Sequence, residues 1–186
     1  MTRRAARSRS RARTVHSKVV FRGAIFDVRR DVVIEPSGVH ATREVVVHSG
    51  SVVILPALPD GRIILIRQFR YATGQFLWEL VAGRKETGES PLRAARRELL
   101  EETGFRARRY RLFLDVFPTP GYLNERMFVF LAEGLTAGAA QPEEDERISV
   151  RAFSASELDM MLRRGRLRDA KSIAGILYYL RFLRRP

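Results

Sequence analysis

The chain has 186 residues, 45 % of them hydrophobic, enough for one domain of ordinary size or one domain with a small accessory sheet. It has no cysteine, which excludes disulfides, thiolate zinc sites and cysteine nucleophiles, and its three histidines, His16, His40 and His48, are too few for an imidazole-rich metal site. The formal net charge of +13 invites a nucleic-acid partner, but six arginines crowd the acid-free start MTRRAARSRSRAR, and among 34 basic residues only Lys18, Lys85 and Lys171 are lysine; this is arginine usage rather than a patch, so nucleic acid is not expected.

Residues 1–16 read as a like-charged basic tail with too little apolar content to order itself. The tail lacks the apolar core of a secretory signal, and no apolar run approaches the length of a membrane span, so a cytoplasmic, bacterial protein with no membrane partner is expected. Residues 17–48 are rich in β-branched residues on both sides of the turn Pro36-Ser37-Gly38, which predicts a small N-terminal sheet of two or three antiparallel strands. Residues 49–186 form the main domain. Ser51 to Leu58 is a continuous apolar run, Pro59-Asp60-Gly61 a turn, and Arg62 to Phe69 the second arm of a hairpin. Arg70 is suited either to bidentate phosphate contact or to a salt bridge at the rim, and Trp78 is better explained as core packing than as a platform for a base.

The segment Gly83–Phe105, GRKETGESPLRAARRELLEETGF, is the most informative in the chain. Ser90 is a good N-cap, Pro91 suits the first helical position and Gly104 can stop the helix, which predicts a helix over about 91–103. Helical spacing puts Leu92, Ala95 and Leu99 toward a core, and Glu98, Glu101 and Glu102 on a neighbouring, open side next to Ala94. Carboxylates three and four apart repel by roughly 0.2 to 0.5 kcal/mol per pair, and crowding them at the negative end of a helix adds to that. A hard divalent cation would offset the repulsion; so would Arg93, Arg96 and Arg97 on a solvated acidic face.

Beyond it, Arg109 to Phe117 and Glu125 to Leu131 read as strands joined by the rigid turn Pro118-Thr119-Pro120-Gly121-Tyr122. Gly134 to Gln141 is small and flexible and leads into the acidic run Glu143 to Glu146. Ile148 to Phe153 is a last strand, Ser154 with Glu157 a capping box for a helix that Gly165 closes, and Asp169 the cap of a final helix carrying Ile173, Ile176, Leu177 and Leu180.

The register Gly83, Glu89, Arg97-Glu98-Leu99, Glu101-Glu102, Gly104-Phe105 resembles the Nudix box at every fixed position. The resemblance implies a Nudix-type α/β/α sandwich with a mixed sheet, preceded by the small antiparallel sheet. It also implies Mg2+ or Mn2+ bound by Glu98, Glu101, Glu102 and the carbonyl of Ala82, with Arg97 orienting the acids, Glu89 as a supporting acid, and Gly83 and Gly104 as supporting positions. The reaction implied is hydrolysis of a nucleoside diphosphate linked to another group. The stretches Arg67–Tyr71 and Trp78–Gly83, the Pro120-Gly121 turn sixteen residues past Gly104, and Asp169–Gly175 resemble the ADP-ribose pyrophosphatase branch. That implies ADP-ribose as substrate, contacts from Arg67, Arg70, Glu79, Pro120 and Gly121, a homodimer through the N-terminal sheet, and a loop glutamate, Glu143, Glu144 or Glu146, that positions the attacking water, of which Glu144 is chosen. Sugar nucleotides, dinucleoside polyphosphates or RNA ends are alternative substrates, and a non-catalytic Nudix-like binding regulator is the alternative from a different class.

Overall fold

The computed structural model describes residues 11–138 and 148–184. The chain divides into two compact units, residues up to His48 together with Thr119–Glu125, and Ser49–Pro118 together with the chain from Arg126 on.

In the N-terminal unit, β1 (Arg13–Arg22), β2 (Asp27–Ile34) and β3 (His40–Val47) form an antiparallel sheet in that order. The first strand begins inside the segment read as tail: Arg13 and Thr14 pair with Ile34 and Val33, because β2 runs on to the Pro36 turn and offers its edge that far. Asp31, 3 % exposed, accepts bonds from Ser17 Oγ at 2.6 Å and Arg29 Nε at 2.9 Å. Val15, Val20, Phe21, Ile25 and Phe26 are exposed. The segment Thr119–Glu125 belongs to this unit: Val46 N–H donates to the Tyr122 carbonyl at 2.8 Å, Asn124 N–H donates to the Val46 carbonyl at 3.1 Å, and Asn124 Oδ1 accepts from His48 N–H at 2.8 Å.

The second unit is built on a seven-stranded sheet of β4 (Ser51–Ala57), β5 (Ile63–Arg70), β6 (Gln75–Glu79), β7 (Val81–Arg84), β8 (Phe105–Val116), β9 (Met127–Ala137) and β10 (Ser149–Phe153). The path runs β10-β5-β4-β9-β8, with β6 beside β5 and β7 beside β4. β4 pairs parallel with β9 and the other pairings are antiparallel, so the sheet is mixed. β4 is buried throughout and its alternation splits the core. Val52 and Ile54 meet Ala94, Ala95 and Leu99 of α1 (Pro91–Thr103) on one face. Val53 and Leu55 meet Leu158 of α2 (Ala155–Arg163) and Ile176 of α3 (Ala170–Tyr178) on the other, where Trp78 stacks edge-on against Phe153. Helices therefore cover both faces, the expected sandwich.

The hairpin of β4 and β5 is narrower than its sequence suggests. The two strands bond only at Ala57 and Ile63 beside the turn. Beyond it they part, because β7 takes the edge of Ser51–Ile54 and β6 takes Ile66–Arg70. β9 also extends past its predicted end to Ala137, with Gly134 at φ +68° absorbing a conformation that a side chain would resist. Glu143, Glu144 and Glu146 lie outside the described residues.

Candidate active site

The helix α1 is delimited as its sequence dictates. Ser90 Oγ accepts from Arg93 N–H at 3.3 Å, Pro91 opens the helix, and Gly104 at φ +70° closes it by donating to the Leu100 carbonyl at 2.8 Å. Its packed side differs from the expectation. Leu92 is 37 % exposed, because it sits in the first turn before the helix reaches the sheet. Glu98 and Glu102 are buried, at 8 % and 5 % exposure, so the acidic side is not open. They can enter because the strand beneath them is pared down to Ala82 and Gly83. A Cβ built on Gly83 would stand 1.9 Å from the Glu98 carboxyl carbon and 2.0 and 2.2 Å from its oxygens. Glu102 Oε2 accepts the Ala82 N–H at 3.2 Å.

Burying carboxylates requires partners, and Arg97 supplies most of them. Its Nη1 reaches Glu98 at 2.7 Å and Glu101 at 2.9 Å, its Nε and Nη2 reach Glu89 at 3.3 and 3.1 Å, and Nη2 also donates to the Arg84 carbonyl at 3.0 Å. Glu89 in turn accepts the Glu86 N–H at 3.0 Å, which ties the loop before the helix to the same guanidinium. The Arg97 hydrogen bond holds the Glu89 carboxyl below the usual carboxylate range. Burial pushes the Arg97 pKa down, but its three glutamates outweigh that and raise it. Among the described residues no three acidic or histidine side chains converge on one point as a finished metal cage; Glu98 and Glu101 turn to Arg97 and Glu102 to the Ala82 amide. The donors themselves suit a hard dication: three carboxylates on one helix, two of them against one stretch of strand, with no sulfur or imidazole among the residues gathered there.

A second group of charges adjoins the first. Glu79, at the end of β6 and 1 % exposed, takes a fork from Arg70 at 2.8 and 2.7 Å and Lys171 Nζ at 2.5 Å. Burial raises the Glu79 carboxyl, but the hydrogen bonds and charges of Arg70 and Lys171 prevail and hold it below its ordinary value. Arg70 is raised, first by its bond to Glu79, and it also feels Glu102 and Asp169, which places the two groups within one electrostatic neighbourhood. Arg67 points elsewhere, over the Phe76 ring at 4.8 Å.

The model of the NUDIX domain matches residues 47–176. The chain belongs to the NUDIX family. A second model, the nucleoside diphosphate sugar hydrolase N-terminal domain, matches residues 13–46, the sheet of β1 to β3. The chain is 37 % identical over 168 residues to an ADP-ribose pyrophosphatase of Mycobacterium tuberculosis, covering 88 % of this chain and 81 % of the relative. It is 33 % identical over 168 residues to an ADP-ribose pyrophosphatase of Bacillus subtilis, covering 89 % and 91 %. A crystal structure of an ADP compounds hydrolase superposes with a TM-score of 0.81 at 22 % identity over 96 % of this chain and 97 % of that one, a likeness of fold.

Within this Nudix chain the second unit gathers Ala82, Gly83, Glu89, Arg97, Glu98, Glu101 and Glu102 along one side of α1, and joins Arg70 to Glu79. Pro120 and Gly121 belong to the N-terminal unit, and Glu144 falls outside the described residues. Sequence reasoning missed the α3 end of the site. The sequence marks Asp169 as a cap and Asp169–Gly175 as a stretch resembling the ADP-ribose branch but gives Lys171 and Ser172 no individual part, yet Lys171 reaches Glu79 and Ser172 Oγ accepts the Leu80 N–H at 2.7 Å. One signal was available: Lys171 is one of three lysines in a chain that otherwise uses arginine.

Proposed function

We propose that this Nudix protein hydrolyses the diphosphate linkage of ADP-ribose to AMP and ribose 5-phosphate, with Mg2+ or Mn2+ held by Glu98, Glu101, Glu102 and the Ala82 carbonyl. The observation that carries the reading is the burial of Glu98 and Glu102 against a strand that keeps a glycine at position 83 to admit them. A merely solvated acidic face has no use for that arrangement. Support for the substrate comes from two relatives of that name, alike over most of the chain. When bound, the dication neutralises the diphosphate and lowers the pKa of an attacking water.

The chain's own residues do the rest. Arg97 holds Glu98 and Glu101 side by side through one Nη1, while its contacts with Glu89 and the Arg84 carbonyl fix the loop ahead of the helix. Arg70, 40 % exposed in its side chain, presents a guanidinium fork to the diphosphate oxygens, whereas Arg67, turned over the Phe76 ring, is given no part in that contact. Glu79 orients Arg70. On the strength of its resemblance we assign the choice of nucleotide to the Pro120-Gly121 turn and the positioning of water to Glu144. Assembly as a homodimer, by way of the exposed apolar residues of the N-terminal sheet, and a cytoplasmic location complete the proposal; among the described residues no helix is long and apolar enough to cross a membrane. The match of residues 13–46 to a nucleoside diphosphate sugar hydrolase domain favours sugar nucleotides as the second reading. Release of the nucleoside monophosphate measured over ADP-ribose, sugar nucleotides and dinucleoside polyphosphates, with each cation and with EDTA, tests both. ADP-ribose should be turned over fastest and chelation should abolish activity; turnover that survives exhaustive chelation refutes the metal assignment. Sedimentation of the protein tests the dimer.

A further inference from the structure

Glu79 is a nearly inaccessible carboxylate shared by two cations, and the two are held differently. Lys171 is 13 % exposed in its side chain and is also gripped by Asp169, 2.9 Å from Nζ. Asp169 caps α3 and accepts from Ser172 N–H at 3.0 Å and from Ser172 Oγ, which itself accepts the Leu80 N–H next to Glu79. Lys171 is thus anchored to a helix start that is bonded to the β6–β7 junction. Arg70 is 40 % exposed, ends its strand just before a short turn, Tyr71–Thr73, and among the described residues has Glu79 as its one ion-pair partner.

We propose that Lys171 is a positioning residue: it is the permanent counter-ion of Glu79, and its presence lets Arg70 leave that carboxylate for the diphosphate oxygens of the substrate. This rests on the reading above in which Arg70 meets the diphosphate. The physical reason lies in the burial of Glu79. A buried carboxylate with a single cation retains it, because departure of the partner leaves an uncompensated charge in a poorly solvated place. With a second cation already bonded at 2.5 Å, Glu79 stays paired when Arg70 departs, and the fork of Arg70 is released to a ligand whose geometry it matches. Lys171 therefore acts on ground-state binding through Arg70 without touching the substrate, and its removal should appear in KM more than in kcat.

The test compares wild type with Lys171→Met, Lys171→Arg and the double variant Glu79→Gln/Lys171→Met. Two quantities are read: KM and kcat for ADP-ribose, and calorimetric binding of inorganic pyrophosphate with Mg2+. Lys171→Met should raise KM and weaken pyrophosphate binding by about tenfold or more while kcat stays within a few fold, because Arg70 is now kept by Glu79. Lys171→Arg should restore both. The double variant should recover most of the pyrophosphate affinity, since a neutral glutamine no longer retains Arg70. Lys171→Gln, which keeps a hydrogen bond toward Asp169 without the charge, is read in place of Lys171→Met if that variant does not fold. Unchanged pyrophosphate binding in Lys171→Met overturns the proposal, as does a double variant that binds no better than the single one, the result expected of a simple strut. If ADP-ribose is not hydrolysed at all, the functional reading fails, and the pyrophosphate arm still decides the role of Lys171.

Discussion

Replacing Gly83 by alanine adds one methyl group to the strand under α1, and its consequence can be worked out from the structure. Gly83 is not at a positive φ, so the backbone accepts alanine, which rules out conformational strain as the cause of any effect. The clash is with Glu98, whose carboxyl atoms lie 1.9 to 2.2 Å from the added carbon, well inside any real contact distance. Glu98 must swing away, and in doing so it gives up its 2.7 Å bond to Arg97. Overpacking of this kind costs about 1 to 3 kcal/mol, and for a chain of this size each kcal/mol lowers Tm by roughly 2 to 4 °C. Moving a proposed metal ligand off its position should lower turnover of ADP-ribose by about a hundredfold or more. Scanning calorimetry and an AMP-release assay at saturating Mg2+ measure the two effects. The double variant Gly83→Ala/Glu98→Ala separates them: with the carboxylate gone the methyl group fits, so Tm should return toward wild type while activity stays lost. A single Gly83→Ala protein that melts within a degree of wild type and works within a few fold of it would refute the reasoning, because the cradle for Glu98 would then have no consequence.

Glu102→Gln keeps the size of the side chain and a contact to the Ala82 amide while removing the charge, so activity should fall at least about a hundredfold with the melting curve unchanged; activity near wild type argues against a ligand role. Ser172→Ala strands the Leu80 N–H beside the site and should lower stability by about 1 to 3 kcal/mol in a urea titration. Glu79 carries a pH signature. Its folded carboxyl lies below the unfolded value near 4.3, so its stabilisation is fully present above about pH 5 and drains away as pH falls through the lower folded value. Thermal melts of wild type should therefore lose Tm steeply below about pH 4, and Glu79→Gln should show a shallower acid slope; parallel slopes would exclude Glu79 as a contributor.

Much of this molecule is written in local chemistry. Ser90, Pro91 and Gly104 bound α1 within a residue of the expectation because caps and breakers act on their immediate neighbours. The same holds for Ser154 with Glu157 and for Asp169. The spacing of Gly83, Glu89, Arg97 and the glutamates is legible for a related reason: one loop and one helix carry all of it, so separation along the chain is nearly separation in space. Strand limits that depend on a distant partner are less legible. β1 starts at Arg13 because β2 offers it an edge, and β4 and β5 separate after one bonded pair because β6 and β7 compete for their edges, facts that no window of residues contains.

Sequence alone therefore determined the helix α1, its acids and the family to which they point, since these are properties of contiguous residues. Tertiary structure decided which acids are buried, through the missing side chain of Gly83 beneath Glu98. It also brought Lys171, 92 residues away in the chain, against Glu79. Burial and long-range ion pairing depend on which surfaces meet when the sheet closes on its helices, and a carboxylate's partner there is chosen by that packing, not by its neighbours in the chain.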